Sequence, residues 1–96
     1  MILHTVNKSP PHSNCLAECL RLCTDKHTIL LIEDGVYAGQ NGSPYLANCP
    51  TKKIYALQAD VLARGLDKRL SPAVSVIDDQ GFVDLVTQHQ TVQSWY

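Results

Sequence analysis

Thr28-Ile29-Leu30-Leu31-Ile32-Glu33-Asp34-Gly35 is the stretch whose reading decides the fold class. Its first five residues form a continuous apolar run with no alternation, as a strand covered on both faces reads. Glu33-Asp34-Gly35 stops the run, and Asp34 is placed to cap a short helix over Val36-Tyr37-Ala38. Upstream, Thr24-Asp25-Lys26-His27 reads as a polar turn. Before it, Leu16, Cys19, Leu20 and Cys23 recur at spacings of three and four, the stripe of a core-facing helix. Ser13 or Asn14 caps that helix, which should end near Cys23. The chain opens on a β-rich run, Ile2 to Val6. Asn7-Lys8-Ser9-Pro10-Pro11 ends it, because two prolines suit neither a strand ladder nor a helix interior.

Downstream the alternation continues. Gln40-Asn41-Gly42-Ser43-Pro44 is a loop, and Tyr45 to Asn48 a short helical turn. Lys52 to Leu57 is a third strand. Asp60 to Arg64 is a helical turn or two, ended by Gly65. Ala73 to Ile77 is a fourth strand, and Asp78 or Asp79 caps a last helix carrying Phe82, Val83, Leu85 and Val86. Thr91 to Tyr96 is a β-rich tail with two aromatics. The expectation is an α/β fold with about four parallel strands, helices on both faces and right-handed crossovers. Functional groups should then gather beyond the carboxyl ends of the strands, at Asn7-Lys8-Ser9, Glu33-Asp34, Gln58 to Asp60 and Asp78-Asp79. The exposed edges of so small a sheet favour assembly.

Composition narrows the function. The 96 residues suit a single domain, residues 1–96, and a net charge of −1 argues against a broad grip on nucleic acid. Apolar residues at 45% with charged residues at 18% describe a globular chain whose surface has apolar patches left for partner subunits. No apolar run is long enough to cross a membrane, and Met1-Ile2-Leu3-His4-Thr5-Val6 lacks the basic start and long apolar core of a secretion signal. A reducing cytoplasm is the expected compartment, so Cys15, Cys19, Cys23 and Cys49 are expected as thiols. No nucleotide fingerprint occurs, neither G-x-G-x-x-G after the first strand nor a phosphate loop, and no cofactor is expected.

The cysteines carry the best chemical signal. Cys15-x-x-x-Cys19-x-x-x-Cys23 places three thiols on a drifting stripe of one helix. Three readings are open. The thiols pack as small hydrophobes; or they bind a metal with Cys49, although zinc sites prefer closer pairs across a turn; or one is a reactive thiolate, helped by the helix N-terminus and by Lys8, His12 or Arg21. No metal site is expected from the spacing. His4, on a strand, reads as a satisfied buried histidine ahead of a ligand or base, and His12 as a solvated loop residue. His27 and His89 read as surface residues. Glu33-Asp34 reads as a cap and solvated charge ahead of an acid/base pair. Trp95 and Tyr96 read as packing or interface anchors, since no basic patch accompanies them.

Several segments in order carry a resemblance: Leu3-His4-Thr5-Val6-Asn7-Lys8-Ser9-Pro10, Leu30 through Ala38, Ile54-Tyr55-Ala56-Leu57, Asp60 through Leu66, Phe82-Val83-Asp84-Leu85 and Val92-Gln93-Ser94-Trp95. Together they resemble the TusB/DsrH family of sulfur-relay proteins over nearly the whole chain. The resemblance implies a small DsrE-like fold of the Rossmann/flavodoxin type, in three layers. It implies a cytoplasmic heterohexamer with TusC-like and TusD-like subunits, a TusA-like persulfide donor and a TusE-like acceptor. The destination it implies is 2-thiolation of the wobble uridine of tRNA, or, in DsrEFH-like complexes, sulfur oxidation. Such a chain is a sulfur carrier or transferase subunit and not a stand-alone enzyme. The resemblance matches the first-helix cysteine of DsrH-like members to Cys19, the candidate persulfide carrier, and implies that Cys19 outreacts Cys23 and Cys49. It also leaves open a purely structural subunit whose partner holds the reactive thiol.

Overall fold

Five parallel strands form one sheet, in the order β4-β3-β2-β1-β5. The computed structural model describes residues 2–8, 15–47 and 49–95, with the Cys15 side chain left out. The expected break at Pro10-Pro11, the caps Ser13 and Asn14, His12, Asn48 and Tyr96 lie outside the described residues. Along the chain run β1 (Ile2–Val6), α1 (Cys15–Leu22), β2 (Thr28–Leu31), a 3-10 helix (Glu33–Gly39), α2 (Pro44–Ala47), β3 (Ile54–Leu57), α3 (Gln58–Ala63), β4 (Val74–Ile77), α4 (Asp79–Gln88) and β5 (Thr91–Trp95).

The count of about four strands is corrected to five. The tail pairs in register with β1, Ile2 opposite Thr91 through to Val6 opposite Trp95. Its composition marked it as β-rich, but only the long-range return to β1 makes it a sheet member. The topology explains the layers. From β1 to β4 the chain steps outward in one direction, and right-handed crossovers put α1, the 3-10 helix and α3 on one face. The step from β4 back to β5 reverses direction, so α4 falls on the other face. Two apolar clusters follow. Val6, Leu16, Cys19, Cys23, Ile29, Leu31, Val36, Ile54, Ala56, Val61 and Val74 fill the α1 side. Leu3, Leu30 and Leu85 fill the α4 side, with Ile32, Tyr55, Ile77 and Phe82 packed around them. Thr28 to Leu31 is buried throughout, as its unbroken run requires.

Local signals held in part. Asp78 caps α4 through Oδ1, which accepts from the Gly81 N–H at 2.8 Å. Gly65 ends the α3 turn at φ +66, a left-handed conformation that suits glycine. Asp34 does not cap. The residue before the 3-10 helix is Ile32, with no side-chain cap, and Asp34 instead pairs with Arg64 at 3.0 Å. The cause lies in the preceding turn. Glu33 itself sits at φ 49, and its N–H is taken by Asp60 Oδ2 at 2.7 Å, so a carboxylate from α3 anchors this bend. Gly35 then passes so close to the end of β1 that a Cβ there would lie 2.0 Å from the Val6 carbonyl oxygen.

Candidate functional site

The reversal between β1 and β5 is a topological switch point, where open α/β sheets place their ligands. One group of chemistry-bearing residues lies at that point, on the carboxyl rim, and a second lies toward the amino ends of the strands, where His27 precedes β2 and Thr28 stands opposite Leu3. At the carboxyl rim are Asn7 and Lys8, the Glu33-Asp34 bend, Asp60 and Asp78. The charges of Asp34, Asp60 and Asp78 are spent on structure: Asp60 holds the Glu33 N–H and Arg64, Arg64 holds Asp34, and Asp78 caps α4. Glu33 and Asp34 are exposed, as solvated charge would be.

The second group lies on the α1 side of the β1–β5 pair. Ile2 and His4 on β1 and Thr91, Gln93 and Trp95 on β5 point to this face by the period of two. With Leu22 and His27 they line a cleft of about 310 Å³. The Trp95 indole Nε1–H donates to His4 Nδ1 at 3.0 Å. His4 Nε2 and His27 Nδ1 lie 3.0 Å apart. Donor counting assigns the protons. His4 Nδ1 accepts, so the proton of the neutral ring is on Nε2; His4 therefore donates to His27 Nδ1, and His27 carries its own proton on Nε2. His4 is buried and fully satisfied, as expected. Burial, and then the neighbouring His27, hold its pKa below the ordinary 6.5. Behind the pair stands Cys23. One donor atom from each of His4, Cys23 and His27 lies within 4.8 Å of the others.

Two histidines are corrected. His27 is half-buried and bonded to His4, not a surface residue. His89 is buried between α4 and β2: Nδ1 donates to the Leu85 carbonyl at 2.7 Å, and Nε2 accepts from the Thr28 hydroxyl at 2.9 Å. Both sit just before a strand, where the chain turns into the sheet and buries whatever the strand start carries. Linear pattern held no sign of either contact.

The cysteine stripe is a core stripe. Cys19 has 0% exposure and Cys23 8%, and Cys49 packs against the same cluster. The packing reading of the three left open fits this geometry, whereas the reactive-thiolate reading of Cys19 needs exposure and a lowered pKa, and the geometry is the reverse. Burial first, then Cys23 and Cys49, push the Cys19 thiol up to about 12. The helix dipole offers only about 0.3–1 kcal/mol, within the first turn, and Cys19 is the fifth residue of α1. Burial also raises the thiols of Cys23 and Cys49. Trp95 is a packing residue as read, and its hydrogen bond to His4 is the feature that linear reading missed.

The model of a family described as DsrH like protein matches residues 8–92. Protein TusB of Escherichia coli strain SMS-3-5 / SECEC is 40% identical over 97 aligned positions, which cover 98% of this chain and all of that one. Its counterpart in strain K12 / DH10B is 38% identical over the same span. Among solved structures, the ychN protein from E. coli superposes with a TM-score of 0.79 at 19% identity, covering 98% of this chain and 97% of that one. Protein Tm0979 from Thermotoga maritima gives 0.71 at 26% identity, covering 94% and 95%.

Proposed function

Because the chain belongs to the DsrH-like family, shown by a match over most of its length and by full-length relatives near 40% identity, we propose that it is a subunit of a cytoplasmic sulfur-relay complex. The complex pairs it with TusC-like and TusD-like subunits in a heterohexamer. It takes persulfide sulfur from a TusA-like donor and passes it to a TusE-like acceptor, toward 2-thiolation of the wobble uridine of tRNA. The full-length family match is the observation that carries the reading. Leu22, Leu62 and Val83 on the helices and Val76 and Val92 on the two edge strands are exposed apolar residues, and they suit a chain covered by partners.

Within that complex the chain's own part is structural. A persulfide carrier needs a thiolate that a donor can reach, and Cys19 is fully buried with its thiol held protonated. Cys19 as the carrier is the rival reading. It requires α1 to open from the sheet during transfer, and its support is the family's first-helix cysteine.

The test is a deletion strain, with tRNA nucleosides measured by mass spectrometry. Loss of wobble-uridine 2-thiolation is the expected result. Cys19→Ser should then restore thiolation, because serine fills the space of a packing thiol. A Cys19→Ser complex that assembles yet leaves thiolation absent would establish Cys19 as the carrier. Normal thiolation in the deletion strain would refute the tRNA reading and leave sulfur oxidation by a DsrEFH-like complex.

A further inference from the structure

We propose that His4, Cys23 and His27 form a binding site for a thiophilic cation of the zinc class. The inference is independent of the relay reading and uses other residues. Three places bring the donors together: β1 supplies an imidazole, the residue just after α1 a thiol, and the residue before β2 a second imidazole. One donor atom from each lies within 4.8 Å of the others. Around a tetrahedral zinc, neighbouring nitrogens stand ~3.3 Å apart and nitrogen–sulfur pairs ~3.6 Å. The imidazole pair, at 3.0 Å, is already near that spacing, and Cys23 has about 1 Å to close.

The donor set is selective. One thiolate with two neutral imidazoles suits zinc and discriminates against magnesium and calcium, which need oxygen. His4 and His27 line the cleft beside them, so an ion has an entry path and a water can complete the fourth position. Trp95 donating to His4 and His4 donating to His27 is the proton count of two neutral imidazoles, the form that ligates a metal.

Binding has a built-in reporter. Cys23 releases its thiol proton to solvent. His4 must give up its hydrogen bond from Trp95 whichever nitrogen takes the ion. If Nδ1 coordinates, the metal displaces the indole N–H. If Nε2 coordinates, its proton moves to Nδ1, and two N–H groups then face each other. The indole has to turn away, and Trp95 is the single tryptophan of the chain.

The experiment uses the reduced, tag-free full chain. Cobalt(II) should bind at one equivalent and give a near-ultraviolet sulfur-to-cobalt charge-transfer band with tetrahedral visible bands, all displaced by zinc. Zinc alone should change Trp95 emission with the same stoichiometry. Cys23→Ser should abolish the charge-transfer band, Cys49→Ser should keep it, and His27→Gln should weaken binding at least tenfold. His27 is half-buried, so that variant decides the matter even if Cys23→Ser does not fold. No charge-transfer band, a band that survives Cys23→Ser, unchanged affinity in His27→Gln, or zinc binding with unchanged Trp95 emission would each overturn the proposal.

Discussion

Gly35→Ala tests the close approach that shapes the carboxyl rim. Gly35 lies in the 3-10 helix and outside the left-handed region, where the described residues place only Glu33, Gly42 and Gly65. By backbone entropy alone, alanine would stabilise the chain by about 0.4–1 kcal/mol. The packing reverses that sign. The added Cβ would sit 2.0 Å from the Val6 carbonyl oxygen and 2.9 Å from its carbon. Neither atom is a side chain that can swing aside. The same oxygen accepts from the Ile32 N–H at 3.0 Å, so moving it breaks the end of the β1–β2 ladder. A clash with backbone belongs at the top of the overpacking range, about 3 kcal/mol, and a lost hydrogen bond adds about 1 kcal/mol. After the entropic gain, a net loss of about 3 kcal/mol remains. For a domain of this size that lowers Tm by roughly 12–24 °C. Urea titration and thermal melts followed by circular dichroism read both quantities. A Gly35→Ala chain as stable as the parent, or more so, would refute the reasoning.

Alkylation of the native chain, followed by intact mass, should modify Cys49 before Cys23 and reach Cys19 last. With its pKa near 12, Cys19 holds a thiolate fraction of about one in ten thousand at pH 8; labelling of Cys19 at the rate of Cys49 would contradict this. Because the folded His4 pKa lies below 6.5, the unfolded chain binds more protons at acid pH, so His4's contribution is complete above about pH 6.5 and is lost as the pH falls from there toward the folded value. His4→Gln should flatten that part of the urea-midpoint profile, and an unchanged slope would count against the assignment. Asp60→Ala should cost about 1.5–3 kcal/mol, because it strips the partner from the strained Glu33 N–H. Asp34→Ala, which removes an exposed ion-pair partner, should cost under about 0.5 kcal/mol; equal losses in urea titrations would remove the distinction.

Sequence by itself determined the elements whose causes are local. The unbroken Thr28–Ile32 run can be satisfied only by cover on both faces. The stripe of Leu16, Cys19, Leu20 and Cys23 has one core-facing solution on a helix. The Asp78 cap and the Gly65 stop depend on the backbone groups next to them. Family-specific segments in order also marked the DsrH-like membership. Tertiary structure alone decided the features that depend on residues far apart in the chain. The tail becomes a strand only because β1 offers a free edge, and its return from β4 is what sends α4 to the opposite face. Trp95 meets His4 across 91 positions and His27 meets it across 23. Asp34 lost its capping role to an anchor 27 positions beyond Glu33. Cys19 illustrates the boundary best. Its place on the buried stripe was legible in the spacing, but its acidity was not. The cost of charging a thiol depends on how much water the assembled core excludes, and no neighbour in sequence sets that quantity.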